Sequence, residues 1–426
     1  METRKFLQIK ILTLAARARR LARIDYKSVG IRPGDMAYAP SPKHFQAVNQ
    51  RLQKIDREVA KRLEHVKSIW SSAPQDRVLT DIALVEREVD RARRTFGLFF
   101  DIFSQRGSAF APSLAAHDVI ATDCYAAIRQ ADPQIFPGPL LKPVCYMDHG
   151  ASPATMRRGI LLSRLLGEKN LFPLIRIPWD RDNPWQAVFL HEVAHNLQAD
   201  LGIWQENKQA VLKRMVRSHG MGLAQIYGRW HKEIFADLAA LLLGGPAAAW
   251  GMAMFLAYPA SKTTTYRIGV HPVPFLRIFI LAEMLRRMGF KAEASRLKRV
   301  WQGLYPANQV RRIPAPLLQT MDRAIPDVVD EIAFQPRRNL AQRTLMDIIP
   351  FTRHHQLAIE AGAQQLLRGK IPQSLPPRHL VSAAAYAVSA GKTDARQLSQ
   401  LVINHLASLS RQSSSPAAKR QAASVA

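Results

Sequence analysis

The sequence contains little cysteine and little acid. Only Cys124 and Cys145 are cysteines among 426 residues, which excludes a disulfide scaffold and a structural zinc site made mainly of thiolates. Asp and Glu number 33 against 60 Lys and Arg, so the net charge is +27. Such a balance favours anionic partners, namely nucleic acid, a membrane surface or acidic proteins. Because the basic residues are spread along the chain, the charge also fits an ordinary basic surface and indicates no function by itself.

The N-terminus lacks a secretory signal, since Gln8 and Lys10 interrupt its short apolar stretch. We therefore expect a cytoplasmic protein. The basic N-terminal segment is expected to form a helix that packs on the rest of the protein. The alternative is an amphipathic helix on an anionic surface.

Long apolar runs are also scarce, and only 238–257 is free of charge over the length of a membrane span. Gly244, Gly245 and Pro246 divide this run into two short pieces. Because proline and glycine interrupt helices, we expect two buried helices joined by a tight turn. Membrane association, through this run or the basic N-terminus, is the less favoured alternative.

Apolar periodicity predicts a mainly α fold (α+β) with a small sheet. Apolar residues recur at three- and four-residue steps along 45–69 and 78–103, which is typical of an antiparallel helical hairpin. A third helix is expected over 113–131, and a strand over 174–177. The expected organisation is a basic N-terminal segment 1–40, a helical hairpin domain 41–135, a core 136–290, a helical C-terminal region 291–408 and a disordered tail 409–426. The first domain boundary is placed at the proline-rich stretch 136–139.

The pattern that carries chemistry is HExxH, formed by His191, Glu192 and His195. Asn183 and Pro184 predict the start of a helix that continues to Gly202. On that helix the two imidazoles, four residues apart, face the same way and can hold one metal ion. Glu192 can reach a water beside the metal and act as a general base. A P-loop and a dinucleotide fingerprint are absent from the sequence.

The third metal ligand distinguishes the families of HExxH peptidases. Leu201 stands where a metzincin has its third histidine, which excludes that family. Downstream, Glu233 and Asp237 are four residues apart and resemble the ExxxD element of the gluzincin clan of zinc peptidases. That resemblance implies that Glu233 is the third ligand and that Asp237 accepts a hydrogen bond from a ligand histidine. His231 is a competing ligand, and an exposed helix face is the alternative for the two carboxylates.

A further element, 271–278, resembles the HPxxxxRI motif of the CAAX-protease and heat-shock membrane-protease branch of the gluzincins. The order HExxH, ExxAD, HPxxxxRI is that of the branch. The resemblance implies that His271 and Arg277 lie at the cleft, where His271 donates a hydrogen bond to the oxyanion. Arg277 either does the same or anchors Asp237. The alternative is a helix start with a structural arginine. The resemblance covers 188–278 and departs from the branch in lacking clear transmembrane helices.

By this resemblance the chain is expected to have a zincin-like catalytic core and to be a zinc-dependent metallopeptidase. One Zn²⁺ on His191, His195 and Glu233 would activate water, with Glu192 as base, and the partner would be a peptide or protein substrate. The strand at 174–177 is then expected to be the edge strand that binds substrate, or else an ordinary core strand. The competing hypothesis is a basic nucleic-acid-associated or interaction protein with a structural or inactive metal site. Its basic flanks would contact an anionic surface or nucleic acid.

Overall fold

The computed structural model describes residues 3–136, 140–150, 154–158, 170–184, 186–310 and 312–413. The described chain is mainly helical and contains a three-stranded sheet, which confirms the predicted mainly α class. The residues divide into two compact units. The described residues of 1–115 and 159–172 form unit 1, and those of 116–158 and 173–413 form unit 2.

Helices and strands are numbered separately in chain order. The strands are β1 (Val144–Asp148), β2 (Ala154–Met156) and β3 (Leu174–Pro178). The helices are α1 (Thr3–Arg20), α2 (Pro42–Ile69), α3 (Gln75–Ser104), α4 (Ala111–Ala131), α5 (Val188–Asp200), α6 (Trp204–Gly244), α7 (Pro246–Leu256), α8 (Ala260–Thr263), α9 (Pro274–Arg287), α10 (Lys291–Leu304), α11 (Ala315–Ala333), α12 (Leu345–Ile348), α13 (Arg353–Leu367), α14 (Pro377–Ser389) and α15 (Ala395–Ser413). Short 3₁₀ turns occupy Pro33–Tyr38, Gln105–Gly107, Ala307–Gln309 and Arg338–Leu340.

Unit 1 contains the predicted helical hairpin, formed by α2 and α3. The apolar seam is buried, as Ile55 and Val59 on α2 and Ile82 and Val85 on α3 show. These residues form one core with the buried face of α1. The N-terminal helix therefore packs on the hairpin, and the segment 1–40 contributes to the same core.

The sheet of unit 2 has the order β1-β3-β2. β1 pairs with β3 in parallel, with Val144 opposite Leu174, and β2 pairs with β3 in antiparallel fashion, with Thr155 opposite Ile175. The strand predicted over 174–177 is confirmed, but the expectation that it is an edge strand is wrong. β3 is the central strand, because β1 pairs with one side of it and β2 with the other. Four of its five residues are buried.

Helix α5, which carries the HExxH residues, packs against α6, α7 and β2. It begins at Val188 and not at Pro184, so the predicted start is wrong by one turn. The Asn183 side chain accepts a hydrogen bond from the Ser399 hydroxyl at 3.3 Å, which takes its oxygen away from the expected capping role. The helix ends at Asp200, and Gly202 then adopts φ 68° where the chain leaves it.

Helix α6 folds back on itself at Gly220, whose backbone angles are φ 81° and ψ 168°. The two arms, 204–219 and 221–244, approach closely where Gly228 faces Leu212: a β-carbon on Gly228 would lie 2.5 Å from Leu212 Cδ2. This fold-back is what places the second arm, with Glu233 and Asp237, against α5. Sequence reasoning predicted helix here without the fold-back.

The uncharged run 238–257 forms the end of α6 and all of α7, and most of its residues are buried. Gly245 makes the turn between them with φ 65°, and Pro246 starts α7. The prediction of two buried helices joined by a tight turn is confirmed. Among the described residues, no helix combines the length and apolarity needed to cross a bilayer.

The C-terminal helices belong to the same compact unit as the sheet and α5. Helix α11 packs on α6 and α9, and α14 packs on α6 and α7. The last helix continues to Ser413, so the first five residues of the predicted disordered tail are helical. Residues 414–426 of that tail, and 137–139 of the predicted domain boundary, lie outside the described residues.

Candidate metal site

Three predicted ligands meet in unit 2. His191 and His195 project from consecutive turns of α5, and Glu233 comes from the second arm of α6. One ligand atom from each lies within 4.8 Å of the other two, and all three residues are buried or nearly so. Among the described residues this is the one group of three or more such side chains that could hold a metal ion.

The donor atoms of the two histidines lie slightly farther from the Glu233 oxygens than in short charge-assisted hydrogen bonds. His191 Nε2 and Glu233 Oε2 are 3.3 Å apart, and His195 Nε2 and Glu233 Oε1 are also 3.3 Å apart. Charge-assisted hydrogen bonds are shorter, at about 2.7–2.9 Å. Two ligands of a tetrahedral zinc, each at about 2.0–2.1 Å, lie roughly 3.3 Å apart. The two histidines lie at this separation from different oxygens of Glu233, and the three residues together are close enough that they could hold one metal ion.

Asp237 and Arg277 both contact the cluster. Asp237 Oδ1 lies 2.9 Å from His191 Nδ1, so the ligand histidine has a carboxylate on its other nitrogen. Arg277, on α9, donates to both oxygens of Asp237 at 2.5 and 2.8 Å. Its Nη2 also lies 3.4 Å from Glu233 Oε2 and 3.0 Å from His191 Nε2. Of the two predicted positions for Arg277, the structure places it at Asp237.

The pKa values of the site reflect this network of buried charges. Burial and the charge of Arg277 favour the neutral ring of His191, but Asp237 and Glu233 outweigh both and raise its pKa to about 9. Burial raises the pKa of Glu233, yet its contacts with His191 and His195 lower it well below its usual range. The pKa of Asp237 is also lowered, because Arg277 and His191 overcome the effect of burial. Both carboxylates are thus held as anions, the form that binds a cation.

Glu192 and His271 flank the ligands. Glu192 is 9% exposed, and its charge is close enough to contribute to the raised pKa of Arg277. The Nε2 atom of His271 lies 3.6 Å from Glu233 Oε1, while its side chain remains 69% exposed. All seven predicted site residues therefore belong to one neighbourhood, with His271 as the member most open to solvent.

His231, the competing ligand, stands apart from the cluster. Its Nδ1 lies 2.8 Å from the Gly228 carbonyl oxygen, within the same helix arm. Burial lowers the pKa of the ring to about 4. The ring is therefore a neutral part of the packing between the two arms of α6.

Sequence reasoning missed a cationic group beside the ligands. Lys232 Nζ lies 3.6 Å from the ring centre of Trp204, and the Arg157 guanidinium lies 5.9 Å from the same ring. Burial lowers the pKa of both cations, and the charge of Glu233 opposes that effect. Arg157 directly follows β2, which packs on α5. The three residues are far apart in the chain and form no motif, so no sequence signal could have found them.

Comparison of the chain with family models, curated proteins and solved structures gave no match.

Proposed function

We propose that this protein is a zinc-dependent metallopeptidase with a zincin-like core. The observation that carries the proposal is the convergence of His191 and His195, from the helix that also carries Glu192, with Glu233 from α6, with one ligand atom of each within 4.8 Å of the other two. Catalytic zinc sites use three protein ligands and leave one position for water or substrate. A site that merely stabilises the fold would use a fourth protein ligand, and among the described residues the group has three.

Zinc is the metal that this donor set fits best. Two imidazole nitrogens and one carboxylate oxygen form the His₂Glu set typical of hydrolytic zinc sites. Asp237 behind His191 fixes the ring and raises the basicity of the ligand nitrogen, as carboxylates do in such sites. When bound, zinc would supply Lewis-acid chemistry to a peptide carbonyl and lower the pKa of water.

The chain's own residues move the proton in this proposal. Glu192 accepts the proton of the attacking water on a carboxylate oxygen and passes it to the departing amine. Its position on the next residue after His191 rotates it by about 100° around α5, which places it beside the ligands and not among them. His271, at the exposed side of Glu233, donates a hydrogen bond to the oxyanion. Arg277 holds Asp237 and Glu233 in place.

The cations near Glu233 favour acidic substrates. Arg157 and Lys232 both lie near the ring of Trp204, and Lys208 adds its charge to that of Lys232. Both Arg157 and Lys232 are partly desolvated, so an anion bound there would interact with them more strongly than in bulk water. We therefore propose that a carboxylate of the substrate, in a residue next to the scissile bond, binds at Arg157.

Metal analysis and peptide cleavage together test the proposal. The purified protein is expected to hold about one zinc per chain and to cleave peptides that contain Asp or Glu. A chelator should abolish cleavage and added zinc should restore it. Glu233→Ala and His195→Ala are expected to lose the metal, whereas His231→Gln, which changes a histidine outside the cluster, should retain it. A protein that binds no divalent metal, or that cleaves peptides equally well with the metal removed, contradicts the proposal.

A further inference from the structure

Helix α1 exposes three large apolar side chains although its other face is buried in unit 1. Phe6 is 49% exposed, Ile9 46% and Leu12 58%. The buried face consists of Leu7, Ile11, Leu14 and Ala18, which join the core of the helical hairpin. The helix is thus apolar on two faces, and the packing of the hairpin accounts for only one of them.

The exposed residues form one patch on the helix surface. A step of three residues turns an α-helix by about 300°, so Phe6, Ile9 and Leu12 span an arc of roughly 120°. Leu7, Ile11 and Leu14 lie on the opposite side of the helix axis by the same arithmetic. The patch therefore points away from the core of unit 1.

Basic residues lie on the same side of α1 as this patch, before it and beyond its end, and the helix itself has no acidic residue. Lys5 and Arg20 lie about 40° and 20° from Ile9 around the helix axis, and Arg19 lies about 80° away. All three are exposed, as are Arg17 and Arg23. The helix contains neither Asp nor Glu, and Lys10 pairs with Glu86 on α3 at 2.9 Å.

We propose that this face of α1 binds the surface of an anionic lipid bilayer. A helix that lies in a bilayer interface needs large apolar residues to enter the headgroup region and basic residues to attract anionic lipids, and α1 presents both on one face. Nucleic acid is less well matched, because phosphate contacts require only the cations and gain nothing from Phe6, Ile9 and Leu12. Since α1 is already folded on the hairpin, binding would not require the helix to be ordered.

Vesicle sedimentation with the full-length protein tests this inference. Binding is expected to vesicles that contain about one third phosphatidylserine or phosphatidylglycerol, and not to vesicles of phosphatidylcholine alone, because the attraction is electrostatic. The triple variant Phe6→Ser, Ile9→Ser, Leu12→Ser should bind at least about tenfold more weakly, because apolar burial in the interface is lost. Lys5→Gln, Arg19→Gln, Arg20→Gln should weaken binding by a similar factor and reduce its salt dependence.

Matched variants elsewhere on the surface complete the test. Val216→Ser, Met221→Ser, Leu357→Ser removes three other exposed apolar side chains, and Arg368→Gln, Lys370→Gln, Lys392→Gln removes three other exposed cations. Both should bind anionic vesicles as the wild type does, and circular dichroism should show that all variants are folded. Equal binding of every variant, or no binding by the wild type, overturns the inference. So does binding to nucleic acid that depends on Lys5, Arg19 and Arg20 while vesicle binding ignores Phe6, Ile9 and Leu12.

Discussion

Asp237 links the metal ligands to α9, because its carboxylate contacts His191 on one side and Arg277 on the other. It is almost fully buried, and a buried charge is tolerated only when it is paired. The two contacts therefore satisfy Asp237 and, at the same time, fix the orientation of the His191 ring. Removing the charge of Asp237 should therefore change the affinity for the metal although all three candidate ligands remain.

Asp237→Asn is expected to weaken zinc binding by about 10–100-fold, because His191 loses its charged partner and Arg277 loses its compensating charge. A competition titration with a coloured zinc chelator measures this. The matched control is Asp200→Asn, which alters a buried carboxylate of α5 that pairs with Arg158 and Tyr125 and touches no ligand. Equal zinc affinity in wild type and Asp237→Asn, with both folded, contradicts the assigned role.

Arg157→Gln is expected to lower kcat/KM about tenfold for peptides with Asp or Glu next to the scissile bond, since one charge-assisted hydrogen bond is lost. Matched peptides with Asn or Gln at that position should change by less than about twofold, because they carry no charge for Arg157 to bind. Paired kinetic assays provide the comparison, with Arg181→Gln as a control cation that packs on Phe255 instead of Trp204. An equal loss on both peptides would assign Arg157 a role in folding.

The residues of the site could be predicted from the sequence where chemistry fixes their spacing. Residues four apart lie on one face of a helix. The spacing of His191 and His195, and that of Glu233 and Asp237, could therefore be recognised in the sequence. Arg157, Lys232 and Trp204 could not, because packing of separate elements brings them together. The motif left two roles open for Arg277, and the packing of α9 beside α6 brings its side chain to Asp237.

The long helices could be predicted from apolar periodicity, but the turns and the order of the strands in the sheet could not. The steps of three and four residues in α2 and α3 predict the hairpin because each helix must bury one face. β2 is only three residues long, too short for a pattern, so the central position of β3 could not be foreseen. The fold-back of α6 depends on a single glycine in a sequence that otherwise favours helix.

Gly220→Ala is expected to destabilise the protein by about 1–3 kcal/mol, because φ 81° with ψ 168° is a conformation that only glycine adopts without strain. A β-carbon there would meet no heavy atom within 4 Å, so the cost is conformational and not steric. Gly222→Ala is the matched control, since this exposed helical glycine also has open space and should gain up to about 1 kcal/mol from helix propensity. Urea unfolding measures the stability of both variants. Equal stability of the two would contradict the prediction that the turn at Gly220 requires glycine.

His379 on α14 should make stability fall in mild acid. It is buried between Phe351 and His355, and burial lowers its pKa to about 3. In the unfolded chain the ring takes up a proton near pH 6.5, whereas the folded protein does not until about pH 3. Stability contributed by the neutral ring is therefore present above pH 6.5 and is lost, by up to about 1.4 kcal/mol per pH unit, as the pH falls towards 3.

Urea unfolding of wild type and His379→Gln at pH 7.5 and pH 5 measures this dependence. The wild type is expected to lose about 2 kcal/mol more than the variant between the two values. His149→Gln, which changes a histidine whose side chain is 96% exposed, should follow the wild type. The same loss in wild type and His379→Gln would mean that the buried ring does not control the transition.

At the scale of the whole molecule, the chain has two compact units with different contents. Unit 1 contains the helical hairpin and α1, and unit 2 contains the sheet, the ligand cluster and the C-terminal helices. The net charge of +27 does not say where an anionic partner would bind. Both proposals of an anionic ligand rest on local groups of cations: Arg157 and Lys232 near Trp204 in unit 2, and Lys5, Arg19 and Arg20 on α1 in unit 1.

We propose Glu192 as the general base of a zinc site that hydrolyses peptides. The most direct test is the cleavage rate of zinc-loaded Glu192→Gln, a variant that keeps all three ligands and the shape of the side chain. We expect about one zinc per chain, as in the wild type, and a kcat lower by about 10²–10⁴-fold. A zinc-loaded Glu192→Gln protein that cleaves peptides at the wild-type rate would show that Glu192 is not the general base.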